Sequence, residues 1–160
     1  MAFFDLVSRQ YVSSVEPKLD LVNVLDSHIG KGVYAVRPYP DHSVIGEITG
    51  EIFSGAYTGT SYTFEADEGN QLEPSEPFRY LNHSCEPNCE FDWLDEPSVH
   101  GEPAKSGLFL LALRDIQAYE QLTIDYSWPA TFAIPCRCEA ARCRGWVVAV
   151  EELDKLQLQG

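Results

Sequence analysis

Bases are scarce in this 160-residue chain: 11 Lys and Arg stand against 25 Asp and Glu, a net charge of −14. Phosphate backbones demand a basic footprint, so direct binding to nucleic acid is not expected. Long apolar runs are missing as well. No stretch approaches ~18 uninterrupted apolar residues, so no membrane-spanning helix is expected. The opening MAFFDLVSRQ has no basic leader followed by an apolar stretch and does not read as a secretory signal. Cysteine is absent outside two islands, residues 79–91 and 135–145. Five clustered cysteines do not suit an oxidised framework, which shows an even and dispersed set. An intracellular, reducing compartment and a bound metal are therefore expected. No period of 20–50 residues repeats, which excludes a solenoid. The length and ordinary apolar content fit one globular domain.

What is there reads as mostly β with short elements. LDLVNV (19–24), VYAVR (33–37), SVIGEIT (43–49), SYTFE (61–65), CEFDW (89–93) and GLFLLALR (107–114) are short, apolar and bounded by turn residues. GLFLLALR also suits a helix by composition, but its brevity and its flanks, Gly107 and Asp115, favour a strand. The first dozen residues and EELDKLQLQ near the end each allow a helical turn or two. The acidic, Pro-containing segment 65–77 is expected to be an exposed loop. Between residues 65 and 102 lie eleven acids (Glu65, Asp67, Glu68, Glu73, Glu76, Glu86, Glu90, Asp92, Asp95, Glu96, Glu102) and one Lys or Arg, Arg79. Scattered, such charge would serve solubility. Clumped around one stretch, it suits equally the steering of a cationic partner.

The chemistry-bearing stretches are RYLNHSCEPNCEF (79–91) and PCRCEAARCRG (135–145). Cys136, Cys138 and Cys143 have the spacing C-x-C-x4-C, which places three thiolates at corners of a tetrahedron around Zn²⁺ at ~2.3 Å. A closed structural site wants a fourth ligand, and Cys85, Cys89 and the histidines are the candidates. Arg137, Arg142 and Arg144 interleave the cysteines and offset the charge of the thiolates. A fourth ligand from 79–91 would make the two islands one place in space.

These motifs together resemble the SET-domain protein lysine methyltransferases. RYLNHSCEPN is similar to the family's signature, AYEQLTIDY (118–126) to its second signature, and CRCEAARCRG to its post-SET zinc segment. GKGVYAV (30–36) and VIGEITGEI (44–52) resemble the glycine-containing opening of the domain. The resemblance runs from about residue 19 to 147, and the order of the motifs makes it specific. It implies a fold of small twisted sheets, β-clip-like, with a C-terminal pseudoknot, an exception to the rule against threading. By the same resemblance, 19–130 is the SET domain, 131–147 the post-SET zinc segment, and 1–18 and 148–160 are flanks.

The resemblance further implies S-adenosylmethionine as cofactor, with the target lysine entering from the opposite face through a narrow channel. Lys31, Gly32 and Val33 would lie by the methionine part of the cofactor. Asn82 and His83 would bind it, with the His83 backbone reading adenine, and Arg79 would support the pocket. Structural Zn²⁺ would take Cys85, Cys136, Cys138 and Cys143, leaving Cys89 as a packed strand thiol. Tyr126 would be catalytic, and Asp125 would brace its loop. Alone, His83, Asn82 and Tyr126 would read as a structural histidine, a turn residue and a packed aromatic; within the motifs they read as site. Trp128 and Trp146 flank the zinc segment and read first as packing, with a place for one of them in the wall of the cofactor or lysine pocket as the alternative. Tyr34, Tyr62 and Tyr80 read as core or channel wall.

The stretch departs from the family at Ile124, where many relatives have Phe or Tyr. Without a hydroxyl there to hold water in the channel, more than one methyl is expected to fit. The segment from Glu51 to Arg79 is short, so the peptide groove would be completed by a second subunit, giving a homodimer, or by the substrate. The expected partner is a basic, histone-tail-like protein or peptide. Two other classes compete: an inactive zinc-stabilised module that binds basic peptides, and a zinc-ribbon binder of nucleic acid, which the charge disfavours.

Overall fold

The computed structural model describes residues 21–54, 62–67, 69–96 and 105–157. The helical turns expected in the first dozen residues, all of the flank 1–18 and the last three residues lie outside these. Among the described residues, ten short strands build three small sheets. The first contains β1 (Val22–Ser27), β2 (Gly30–Ala35), β7 (Asn82–His83) and β10 (Gln121–Ile124), in the order β1-β2-β10-β7. The second has the order β3-β9-β8, from β3 (Val44–Glu47), β8 (Cys89–Glu96) and β9 (Lys105–Ala112). The third has the order β4-β6-β5, from β4 (Gly50–Ser54), β5 (Phe64–Asp67) and β6 (Asn70–Pro74).

Sequence pattern explains most of this. β1 and β2 meet in a hairpin whose two-residue tip is His28–Ile29, and Gly30 takes the positive φ (115°) that closes it. In β9, Leu108, Phe109, Leu110 and Leu111 are all buried. A strand covered on both faces reads as a continuous apolar run, which is why this segment also resembled a helix. The core of Val33, Ile45, Leu110, Ile116 and Leu122 joins the first two sheets. The helical turn expected near the end is present as α1 (Leu153–Gln157), preceded by a 3₁₀ turn at Val150–Glu152.

The expectation of an exposed loop over 65–77 is overturned. Residues 64–67 and 70–74 are β5 and β6, and Leu72 and Pro74 turn inward on alternate positions of β6. β4 pairs with β6 so closely that a Cβ on Gly50 would lie 2.1 Å from the Glu73 carbonyl oxygen. Asn70, Gln71 and Glu73 hid β6, because only two of its five residues, Leu72 and Pro74, are apolar.

The element that positions the site is the parallel pairing of β7 with β10, Asn82 opposite Thr123 and His83 opposite Ile124. These strands are far apart in sequence, and the whole second sheet hairpin lies between them. Asn88 locks the crossing: its Oδ1 accepts from the Thr123 amide (2.8 Å) and its Nδ2 donates to the Gln121 carbonyl (2.8 Å). The chain after β10 then returns across β7. Residues 147–149 are buried there, and the Ala149 amide donates to the Trp128 carbonyl (2.8 Å).

Candidate active site and metal centre

Four cysteines converge where the returning tail crosses the turn after β7. The sulfur atoms of Cys85, Cys136, Cys138 and Cys143 all lie within 4.8 Å of one another. Cys85 Sγ is 3.7 Å from Cys136 Sγ and 4.0 Å from Cys143 Sγ. A tetrahedron with Zn–S bonds of ~2.3 Å has edges of about 3.8 Å, so the donor set fits Zn²⁺. Local hydrogen bonds shape the loop: Cys136 N–H donates to the Gly145 carbonyl (2.9 Å) and Cys143 N–H to the Ala140 carbonyl (3.1 Å). Glu139 (φ 56°) and Gly145 (φ 80°) make its turns. Burial works against the Cys138 thiolate, but the N–H groups of Cys85 and Ala140 outweigh it and hold this thiol down to about 6. Cys89 is elsewhere, in the core on β8, and burial pushes its thiol up to about 12. The packed strand thiol expected at this position is what the structure has.

His83 links this cluster to Tyr126. The Tyr126 amide donates to His83 Nδ1 (3.2 Å), so Nδ1 is an acceptor and the ring's proton sits on Nε2. Nε2 faces Cys85 Sγ at 3.4 Å. Burial pushes the His83 pKa down, against the pull of Asp125, and keeps the ring neutral. Its main chain faces elsewhere. Ser84 N–H donates to the Ile124 carbonyl (2.9 Å), which makes Ile124 the bonded residue of the parallel ladder. The N–H and C=O of His83 therefore point away from β10, to the free edge of the first sheet.

Asn82, beside it, donates from Nδ2 to the Lys31 carbonyl (2.9 Å) and reaches Ser27 Oγ (3.4 Å). Gly32 is needed here for space: a Cβ would stand 2.4 Å from Gln121 Nε2 and 3.2 Å from Asn82 Nδ2. Val33 is wholly buried in the core, so only its backbone is available to a ligand.

Two cavities meet at this point. The larger, about 630 Å³, is lined by His28, Ile29, Asn82, His83, Tyr126, Val147 and the stretch Ile134–Cys138. His28 Nε2, at the tip of the first hairpin, contacts the Arg137 carbonyl (2.8 Å) and spans one side of it. The smaller, about 290 Å³, is walled by Tyr62, Phe64, Phe78, Phe91, Ile124, Tyr126 and Trp128, with Thr63, Arg79 and Asp125 among its polar members. Tyr126 is the one described residue that lines both. Its hydroxyl donates to the Leu81 carbonyl (2.7 Å), and its ring packs against Trp128, centroids 5.2 Å apart. Burial, reinforced by Tyr62, pushes its phenol up to about 12. Trp128 is the tryptophan that lines a cavity, the alternative weighed for it, and Phe64, Phe78 and Phe91 join a wall that no motif announced.

Arg79 lies in the smaller cavity, away from Asn82 and His83. It approaches Glu73 at 3.6 Å and covers the Tyr62 ring, 4.9 Å from its centroid. Asp125 accepts the Ser127 amide (3.0 Å) and holds Arg144 through two hydrogen bonds, at 2.7 and 2.8 Å. Burial opposes its ionisation, but Arg144 and the Ser127 amide keep its carboxyl below the usual range. Of the three arginines expected to offset the thiolates, Arg144 has this carboxylate and Arg142 pairs with Glu86 (2.7 Å).

Residues 30–127 match the family model described as SET domain. The chain is 29% identical over 157 residues (88% of its length) to the histone-lysine N-methyltransferase trithorax of Drosophila virilis, of which it spans 4%. It is 35% identical over 96 residues, 56% of its length and 7% of the relative's, to an H3 lysine-4 specific histone-lysine N-methyltransferase of Emericella nidulans. Among solved structures, KRYPTONITE in complex with mCHH DNA, H3(1-15) peptide and SAH superposes with a TM-score of 0.63 at 25% identity, covering 79% of this chain and 29% of that one.

Proposed function

The chain belongs to the SET-domain family, and from that premise we propose that it transfers a methyl group from S-adenosylmethionine to the ε-amine of a lysine in a basic, histone-like protein. The observation that carries this reading is the position of Tyr126, the one described residue shared by two cavities of different character. The larger cavity has the volume of a cofactor site. It offers the Asn82 amide and the outward backbone of His83 to a nucleoside, and the solved relative holds SAH. The smaller, mostly aromatic cavity suits the apolar stem and amine of a lysine.

Bound S-adenosylmethionine supplies an electrophilic methyl on a cationic sulfur. The chain's residues do the rest. A free lysine has a pKa near ~10.4, and an apolar channel disfavours its ammonium form. Tyr126 spends its proton on the Leu81 carbonyl. Its oxygen is left to accept an N–H of the neutral amine, which holds the nitrogen lone pair in line. With its phenol pushed up to about 12, Tyr126 acts as an orienting group and not as a base. Phe64, Phe91, Ile124 and Trp128 exclude water. Ile124 brings no hydroxyl to this channel, and we assign it room for more than one methyl.

Charge supports a basic substrate. Glu51 and Glu73 stand directly opposite each other on β4 and β6, an arrangement that costs stability unless a cation lies nearby. Arg79 supplies part of that charge, and a basic peptide would supply more. Thr63 Oγ1 and Arg79 Nε, buried in the cavity wall without a hydrogen-bond partner among the described residues, are suited to peptide polar groups. The division at 130 between the SET domain and the zinc segment, an intracellular site, the absence of direct nucleic-acid contact and a homodimer completing the groove are parts of the same proposal. No helix among the described residues is long and apolar enough to cross a membrane.

The test is mass spectrometry of an H3(1–15) peptide and of intact basic proteins after incubation with the chain and S-adenosylmethionine. Methyl groups on lysine are expected. Binding of peptide and cofactor with no transfer would leave a binding module in place of an enzyme.

A further inference from the structure

The cluster of four sulfurs and the loop that carries Tyr126 are tied together by a side chain that lines neither of the two cavities described. Arg144 follows the ligand Cys143, and its amide points to Cys85 Sγ (3.4 Å). Its guanidinium grips Asp125 with both terminal nitrogens, at 2.7 and 2.8 Å, and its side chain is only 11% exposed. Asp125 Oδ1 in turn accepts the amide of Ser127, a residue held at φ 48°. Tyr126 lies between those two residues. A non-glycine residue at positive φ is unfavourable unless something holds it. The same loop is held on its other side through Tyr126 N–H on His83 Nδ1, whose ring meets Cys85 Sγ.

We infer that Arg144 is a positioning residue: through Asp125 it fixes the backbone at Ser127, and so sets where the Tyr126 hydroxyl stands, while joining that loop to the metal segment. Arg144 was expected only to offset thiolate charge. A charge-offsetting arginine needs no paired geometry; a planar fork on a carboxylate fixes direction as well as distance. The fork transmits the position of the zinc loop to the tyrosine, so loosening it leaves the metal and the cofactor cavity in place and misaligns the phenol. The inference rests on the methyl-transfer reading only for its kinetic arm.

The test uses the zinc-loaded chain and the variants Arg144→Lys, Asp125→Asn and the double Asp125→Asn/Arg144→Met. The double variant removes both charges together and leaves no buried charge alone. Arg144→Lys keeps the charge and serves where the others fail to fold. Three quantities are read: zinc per chain, amide exchange across 125–127, and the kcat and KM for S-adenosylmethionine and an H3(1–15) peptide. Expected are one zinc per chain throughout and exchange about tenfold faster at Tyr126 and Ser127. The kcat should fall about 10²-fold, with both KM values little changed. Arg144→Lys should recover part of the kcat, and the double variant should be no worse than Asp125→Asn alone. Unchanged amide exchange, a kcat within about twofold of the parent, or zinc lost in step with activity would each overturn the inference. If the parent chain holds zinc and S-adenosylmethionine yet transfers nothing, the functional reading falls, and the exchange data still decide the role of Arg144.

Discussion

Replacing Tyr126 with Phe separates what the phenol does for folding from what it does for chemistry. The Tyr126 hydroxyl donates to the Leu81 carbonyl at 2.7 Å, and Leu81 is buried. Removing the donor leaves that carbonyl without this partner, at a cost of about 1–3 kcal/mol. The ring contact with Trp128 remains, so the chain should still fold. At the reaction centre the lost oxygen frees the amine to rotate, and a misdirected lone pair lowers kcat about 10²-fold. The assay is initial-rate methyl transfer to an H3(1–15) peptide between about pH 7 and pH 10. Calorimetry of S-adenosylmethionine binding runs alongside. The parent rate should rise with pH as the lysine deprotonates. Because the phenol is pushed up to about 12, Tyr126→Phe should run parallel to it at a lower level. Cofactor affinity should be nearly the same in both. If the variant instead loses a limb of the profile near neutrality, Tyr126 titrates there and acts as a base, and the orienting role is refuted.

Further outcomes follow from other residues. Metal analysis should find one zinc per chain, lost in Cys85→Ser and kept in Cys89→Ser, whose buried thiol belongs to the core and not to the cluster. Gly32→Ala should weaken S-adenosylmethionine binding about 2- to 10-fold, read by calorimetry, because its methyl group displaces Gln121 and Asn82. Glu120 is the pH-dependent brace: burial opposes its charge, but Arg114, the Gln117 amide and Asn88 outweigh it and hold its carboxyl below the usual range. Its contribution is complete above the unfolded pKa of about 4.3 and is lost as pH falls through the lower folded value. Urea midpoints should therefore fall less steeply below pH 4 in Glu120→Gln than in the parent.

Six strands were legible from short apolar runs: four are displaced by two or three residues, the run at 43–49 overshoots β3 at both ends, and the run at 89–93 stops short of the end of β8, because ladder pairing and not hydropathy ends a strand. β4 and β6 were hidden by the polar residues they contain. β7 is two residues long, and no periodicity can mark it; β10 was visible only as a motif. The cysteine spacing marked three members of the sulfur cluster, and the fourth followed from resemblance, since the crossing that delivers Cys85 is a long-range event. Asn82, His83 and Tyr126 came from motif and are brought together as the parallel β7–β10 pairing requires. Arg79 was expected to support the cofactor pocket; it lines the cavity of Phe64, Phe91 and Trp128, where its direction depends on Glu73 and Tyr62. The fork of Arg144 on Asp125 was unreadable: the two residues are 19 apart, and only the returning tail faces them towards each other.

The most direct test is a crystal structure of the chain with SAH and a lysine-bearing H3(1–15) peptide. The account predicts SAH in the cavity of Asn82 and His83, the lysine in the cavity of Phe64, Phe91 and Trp128, and the two converging at the Tyr126 hydroxyl. Both ligands on the same side of Tyr126, or a lysine nitrogen remote from its hydroxyl, would contradict it.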